Sequence, residues 1–345
     1  MANRYSTLFR NALALNAVAL GDLVPQTPSL ALILGAFWGL PTALWLYKCT
    51  MMVFFQRKII YMGYVPTGVS SEHVNPNDPF IKSLHYEEVD IQGHKYINLK
   101  ALALSKAALR SPMDDVILYL QGNAGNPLHR LPVFKTILED CKANICLLAV
   151  APRSYWKSSS NTPTETGLIQ DYFCGLTYAL ERWPNAPIIV MGHSLGASVA
   201  ICLLFSLPLD DKGKSRLMSD RTTGLIVENP FTSIPNMVQT LYASQWLPYH
   251  HLGRFVWDRW DVLRGLQDIS SSRTMLEKLA SSMLVLTSEN DEIVPPAMGR
   301  ELYEKALAAS NRVSASTQGS SDSEMLPMMP RAKLMVLRGA LHDNG

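Results

Sequence analysis

The sequence predicts an α/β fold, a mostly parallel central sheet with helices on both faces and a small helical cap, preceded by a single N-terminal transmembrane helix. Three observations predict it. From about residue 85, short Val/Ile/Leu runs alternate with helical periodicity. A Gly-x-Ser-x-Gly turn, Gly192-His-Ser-Leu-Gly196, lies between an apolar run and a second apolar stretch. Nineteen residues without a charge, Ser29 to Tyr47, precede all of this.

The uncharged run would form a helix about 28 Å long, close to the roughly 30 Å hydrocarbon thickness of a bilayer. Its apolar character continues to Phe55, and Pro41 inside it is tolerated better in a membrane span than in a soluble helix. Trp38, Trp45 and Tyr47 suit an interfacial belt. Lys48, Arg57 and Lys58 follow it, against Arg10 and Asp22 on the other flank, so the positive-inside rule puts the large C-terminal part in the cytosol. No Asn-x-Ser/Thr sequon occurs, in agreement. The expected organisation is a tail and anchor over 1–60, with the span at 29–47 or extended to 55, then an α/β domain over 75–345. A single-pass protein of the endoplasmic reticulum, other endomembranes or the plasma membrane follows, with the lipid bilayer as partner.

Tyr86–Ile91 and Tyr96–Leu104 read as an antiparallel pair split by Gly93. Buried strands follow at Val116–Leu120, Ile145–Val150, Ile188–Met191, Leu225–Val227, Met283–Leu286 and Leu334–Leu337. The clearest helix is Leu168–Trp183, with Leu168, Tyr172, Leu176 and Leu180 on one face. Three segments break the alternation. Pro208 to Thr223 reads as a surface loop, the aromatic-rich stretch 231–264 as a cap, and the Ser- and Met-rich stretch 310–330 as a mobile insert. The net charge of +2 gives no argument for nucleic acid, and the five cysteines read as free thiols without metal spacing.

In such a sheet, chemistry gathers beyond the C-terminal strand ends. Ser194 is the candidate nucleophile, with Gly192 and Gly196 required by the tightness of its turn. A serine hydroxyl needs a base. Of the histidines after Ser194 (His250, His251 and His342), only His342 follows a strand end. A carboxylate should orient it, and Glu289, Asp291 and Glu292 after the preceding strand all compete. Oxyanion donors are expected from the N–H of Leu195 and from the loop Gln121-Gly-Asn-Ala-Gly-Asn126, where Asn123 is the first candidate and Ala124 the second, and where Gly122 and Gly125 allow close approach. This chemistry needs no metal or organic cofactor.

Six segments together resemble the membrane-anchored α/β-hydrolases of the bud-emergence (Bem) type and their animal relatives. They are Phe55–Met62 (FQRKIIYM), Gln121–Asn126 (QGNAGN), Gly192–Gly196 (GHSLG), Glu228–Met237 (ENPFTSIPNM), Asp291–Pro296 (DEIVPP) and Gly339–Asn344 (GALHDN). The resemblance covers about residues 50 to 345 in the family's order. It implies the α/β-hydrolase fold, a signal anchor and serine-hydrolase chemistry, and it selects Asp291 as the acid by its spacing to Val-Pro. The implied function is cleavage of ester or thioester bonds in acyl-lipid or acyl-protein substrates by a Ser194–His342–Asp291 triad. Three positions depart from the pattern: Gln121 stands where the family has His, Ser288 where it has Gly, and the chain stops at Gly345, three residues after His342. The last departure predicts a less well supported histidine loop. Two alternatives accompany the main reading: an aminopeptidase-like hydrolase and a catalytically impaired membrane scaffold.

Overall fold

The computed structural model describes residues 29–209, 213–268, 273–318 and 332–343. Arg10 and Asp22, Asn344, and 319–330 of the expected insert therefore lie outside the described residues. The chain divides into two compact units, Met1–Met51 and Met52–Gly345.

Helix α1, Leu30–Phe54, is long and apolar enough to cross a membrane, and none of its residues is buried in the protein. It widens to π-helical turns over Gly35–Gly39, just before Pro41. Proline has no N–H for the carbonyl of Phe37 and its ring crowds that carbonyl, so local widening lets the helix continue without breaking. α2 (Gln56–Ile60) follows at once.

The second unit is built on one sheet. Its elements in chain order are β1 (His85–Gln92), β2 (Asn98–Ser105), β3 (Asp115–Leu120), α3 (Leu131–Asp140), β4 (Ile145–Ala151), α4 (Glu165–Arg182) and β5 (Ile188–His193). There follow α5 (Leu195–Ser206), α6 (Gly213–Arg221), β6 (Thr222–Glu228), α7 (Ile234–Leu241), a 3-10 helix (Pro248–Phe255), α8 (Val262–Gln267), α9 (Met275–Ala280), β7 (Met283–Ser288), α10 (Pro296–Gln318) and β8 (Lys333–Leu337). The strand order is β1-β2-β4-β3-β5-β6-β7-β8. β2 runs antiparallel to both its neighbours, and every other pairing is parallel. All seven residues of β4 are buried, as expected of a strand covered on both faces.

β3 has β4 on one side and β5 on the other, so the chain leaves β3 and β5 in opposite directions and opens a crevice between their C-terminal ends. The loop after β3 and the turn after β5 are the two segments that carry the expected oxyanion donors and Ser194. α5 then runs under the sheet, with nine of its twelve residues buried, which suits a helix apolar on nearly every face.

Two segments depart from the sequence reading. Within Pro208–Thr223, residues 213–221 are helical and β6 already begins at Thr222, whose hydroxyl is buried and bonds the Met218 carbonyl at 2.8 Å. In the expected mobile insert, α10 continues to Gln318. The Ala-rich run from Ala306 to Ala315 favours helix despite its serines.

The return from β4 is anchored by an ion pair. Arg153 donates to Asp171 through Nε (2.9 Å) and Nη2 (2.8 Å), and its backbone N–H bonds the same carboxylate at 2.9 Å. Asp171 is fully buried on α4. Asp171→Ala leaves the guanidinium without its partner and should lower unfolding stability by about 3–5 kcal/mol, measured by urea titration. A change below about 1 kcal/mol, the value of an exposed pair, would contradict this assignment.

Candidate active site

Ser194 adopts φ 52° and ψ −118°, a conformation strained for a residue with a side chain. The chain around it leaves no room for relaxation. A Cβ on Gly192 would lie 2.3 Å from the Gly196 carbonyl oxygen, and one on Gly196 would lie 2.1 Å from that of Leu120. Both positions therefore require glycine. The Ser194 N–H is held by the Glu228 carbonyl at 2.8 Å, so β6 braces the turn from the far side.

The loop after β3 is tied down on its outer side. The Asn123 carbonyl accepts the N–H of Met62 (2.6 Å) and the Tyr155 hydroxyl (3.0 Å), and the Gly125 N–H, at φ 78°, bonds the Val65 carbonyl at 2.8 Å. Asn126 caps the turn that follows through Leu128 N–H (2.8 Å) and donates to Glu72 and the Val69 carbonyl. Gln121, where the resembling family has His, is buried; its N–H bonds the Tyr172 hydroxyl at 3.2 Å and its Nε2 the Gly125 carbonyl at 3.4 Å. Ala124 forms an isolated bridge with Met62. Asn123, Ser194 and Leu195 line one cavity of about 300 Å³, whereas Ala124 is not among its lining residues.

His342 is 3% exposed and stands after β8. Its Nδ1 is 2.8 Å from Asp291 Oδ2. The three carboxylates that compete in sequence take three different partners. Glu289 Oε2 accepts the Gly339 N–H at 3.0 Å, Glu292 Oε2 accepts the His342 backbone N–H at 3.1 Å, and Asp291 reaches the imidazole. Asp291 Oδ1 also accepts the N–H groups of Ile293 and Val294, at 2.8 and 2.7 Å. Burial works against its charge, but the bonds from His342 and these two amides outweigh it and hold the carboxyl below its ordinary 3.8. No hydrogen bond joins Ser194 to His342 among the described residues.

The loop around His342 is thus held at Gly339 and His342 by carboxylates, with Asn290 N–H on the Ala340 carbonyl at 3.0 Å. Ser288, the other departure from the family pattern, is fully buried, donating its N–H to Asn229 Oδ1 (2.7 Å) and accepting from Asn229 Nδ2 (3.0 Å). His250 and His251 lie in the 3-10 helix Pro248–Phe255, bonded to the carbonyls of Tyr242 and Gln245.

Three further groups at the site escaped the sequence reading. His193, Asn229 and Arg130 are all buried and all bond the backbone of residues 342 or 343. Arg130 also pairs with Glu228, which is 1% exposed, at 2.5 Å. Burial raises the Glu228 pKa and Arg130 opposes that rise. His193, His342 and Asp343 bring possible metal-ligand atoms within 4.8 Å of one another. His193 Nε2, however, is 3.0 Å from the His342 carbonyl, which can only accept. That nitrogen carries a proton and is not free to ligate a metal ion.

No family model matches the chain. Protein bem46 of Schizosaccharomyces pombe is 30% identical over 250 residues, covering 70% of this chain and 72% of that protein. The alpha/beta hydrolase domain-containing protein WAV2 of Arabidopsis thaliana is 29% identical over 269 residues, covering 75% and 78%. Lysophosphatidylserine lipase ABHD12 of Danio rerio is 29% identical over 196 residues, covering 55% of this chain and 47% of that protein, about half its length. Among solved structures, an esterase of Pyrococcus furiosus matches with a TM-score of 0.51 at 18% identity over 79% of this chain and 87% of that one, a likeness of fold.

The Asp291 pair makes stability depend on pH in a defined direction. A folded pKa below the unfolded value contributes stability that is complete above the ordinary carboxyl range and is lost as pH falls through the folded value. The gap in urea midpoint between wild type and Asp291→Asn should therefore hold steady from about pH 7 to 5 and narrow below about pH 4. A gap that stays constant down to pH 3 would contradict the assigned shift.

Proposed function

Because the chain belongs to the Bem46-type α/β-hydrolase family, we propose that it is a serine hydrolase that cleaves ester or thioester bonds of apolar acyl groups. The observation that carries this reading is the cavity in which Ser194, Leu195 and Asn123 meet. Its other walls include Met52, Ile60, Phe231, Met237, Val238 and Val294, and among the described residues no charged side chain lines it. An acyl chain can be buried there, at about 0.8 kcal/mol per methylene.

Ser194 Oγ attacks the acyl carbonyl as His342 Nε2 takes its proton. Asp291 fixes the ring with Nδ1 protonated and stabilises the imidazolium that forms. The N–H of Leu195, first residue of α5 and so without an intrahelical partner, and the N–H of Asn123 receive the developing oxyanion. His342 then protonates the departing alcohol or thiol, and a water activated by the same ring releases the acid. The missing Ser194–His342 hydrogen bond is compatible with this order, since such contacts often tighten only with substrate bound.

The apolar walls disfavour the aminopeptidase alternative, because a free α-amino group finds no carboxylate among the described residues that line the cavity. The bonds that hold His342 argue against an impaired scaffold. α1 serves as a single membrane anchor of an endomembrane or the plasma membrane, with Lys48, Arg57 and Lys58 marking the cytosolic side. The lysophosphatidylserine lipase among the relatives agrees with an acyl-lipid substrate.

Two experiments test this. A fluorophosphonate probe should label wild type and not Ser194→Ala; equal labelling of both, or of neither, rejects the reading. On p-nitrophenyl esters, kcat/KM should rise up to about fourfold per added methylene until the cavity fills. Val238→Trp should shift that optimum to shorter chains, whereas cleavage of aminoacyl-nitroanilides alone would sink the acyl-ester proposal.

A further inference from the structure

The second residue of the elbow motif, His193, has no part in the reaction as written, yet its ring lies against the loop that carries Asn123 and against His342. It is 4% exposed and sits on the last residue of β5, next to the nucleophile. Its Nδ1 is 3.2 Å from where a Cβ on Gly122 would be, so the imidazole packs closely on the loop that carries Asn123. Its Nε2 is 3.0 Å from the His342 carbonyl, and the two rings are 5.0 Å apart at 50°.

The chemistry of this contact is determined by the acceptor. A carbonyl oxygen has no proton to give, so His193 Nε2 must donate. The groups facing the ring are Arg130, His342 and Asp343, and Arg130 is itself paired with Glu228. Burial, then the Arg130 charge, then His342 push the His193 pKa down to about 3, so the ring stays neutral with its proton on Nε2. The same His342 carbonyl accepts a second bond, from Asn229 Nδ2, at 3.0 Å. Asn229 is itself locked at φ 48° by its two bonds to Ser288. One residue further on, Arg130 Nη1 holds the Asp343 carbonyl at 2.9 Å.

We propose that His193 is a positioning residue: its Nε2–H, with the Asn229 amide, clamps the backbone carbonyl of His342 and so sets where the base stands relative to Ser194 and the Gly122–Asn123 loop. The proposal rests on the serine-hydrolase reading. It explains why a histidine occupies a motif position where the turn itself demands only an L-residue. The side chains of Asp291 and His193 hold the base at opposite ends, one at the ring and one at the main chain.

The test uses the full chain and a short-chain p-nitrophenyl ester. His193→Phe keeps a planar ring and removes the donor, whereas His193→Gln retains an amide N–H. His193→Phe is expected to lose kcat on the order of a hundredfold, since a displacement near 1 Å costs about that much. Its KM should stay within about threefold of wild type, because the acyl cavity is untouched. His193→Gln should recover at least about a tenth of the wild-type kcat. Wild-type kcat in His193→Phe, or a Gln variant no better than Phe, overturns the proposal.

If His193→Phe does not fold, the wild-type ring answers the question. Nitrogen-15 spectra, assigned by difference with His193→Gln, should show His193 neutral and Nε2-protonated throughout about pH 5 to 8. A ring that titrates in that range, or carries its proton on Nδ1, overturns the clamp. A wild type that neither labels with fluorophosphonate nor cleaves the ester refutes the serine-hydrolase reading instead, and leaves the nitrogen-15 result to judge the contact.

Discussion

The contact on which the rest of the second unit depends is the near-zero clearance between α5 and the end of β3. Backbone from Gly192, Gly196 and Leu120 converges so closely that a single added carbon at either glycine would overlap a carbonyl oxygen. That closeness forces the reversal at Ser194, and the φ of 52° there stores on the order of 1–3 kcal/mol. Buried elements on every side hold the strain: β5 between β3 and β6, and α5 packed beneath with most of its surface out of water. The gain is geometric. Strand end, the loop at Asn123 and the helix N-terminus come to one point, where a negative charge would meet N–H groups already in place.

Charge is distributed unevenly around this point. The cavity itself is apolar, whereas the layer behind it holds the buried Arg130–Glu228 pair, the neutral His193 and the hydrogen-bonded Asp291. In a low-dielectric site an unpaired charge would be costly and a paired one rigid. Each of these groups ends on a carbonyl, an amide or an imidazole of the 339–343 loop, or on a residue that does. The consequence is that His342 is held by several elements of the sheet, although the strand before it, β8, is a short edge strand.

Much of this was legible from the residues. The parallel strands were readable because a strand covered on both faces needs uninterrupted apolar side chains, as in Ile145–Ala151. Ser194 and His342 could be singled out because each lies a few residues beyond the end of an apolar run. The acid could not be chosen by position, and the reason is physical: Glu289, Asp291 and Glu292 all sit at the strand end, and their different tasks are set by groups about fifty residues away. His193 was invisible as a positioning group for the same reason, since its partner lies 149 residues further on. Composition misled in two places. Serines between Ser310 and Gln318 suggested a loop where alanines sustain the helix, and the polar stretch before β6 concealed α6 with its buried Met218.

The central claim is that Ser194, the loop at Asn123 and the 339–343 loop form one reaction centre. A structure of the full chain after reaction with a fluorophosphonate tests it most directly. The account predicts phosphorus bonded to Ser194 Oγ, the phosphoryl oxygen within hydrogen-bond distance of the N–H groups of Leu195 and Asn123, and His342 Nε2 facing the adduct. An adduct on another residue, or on Ser194 with its phosphoryl oxygen directed away from both amides, would contradict it.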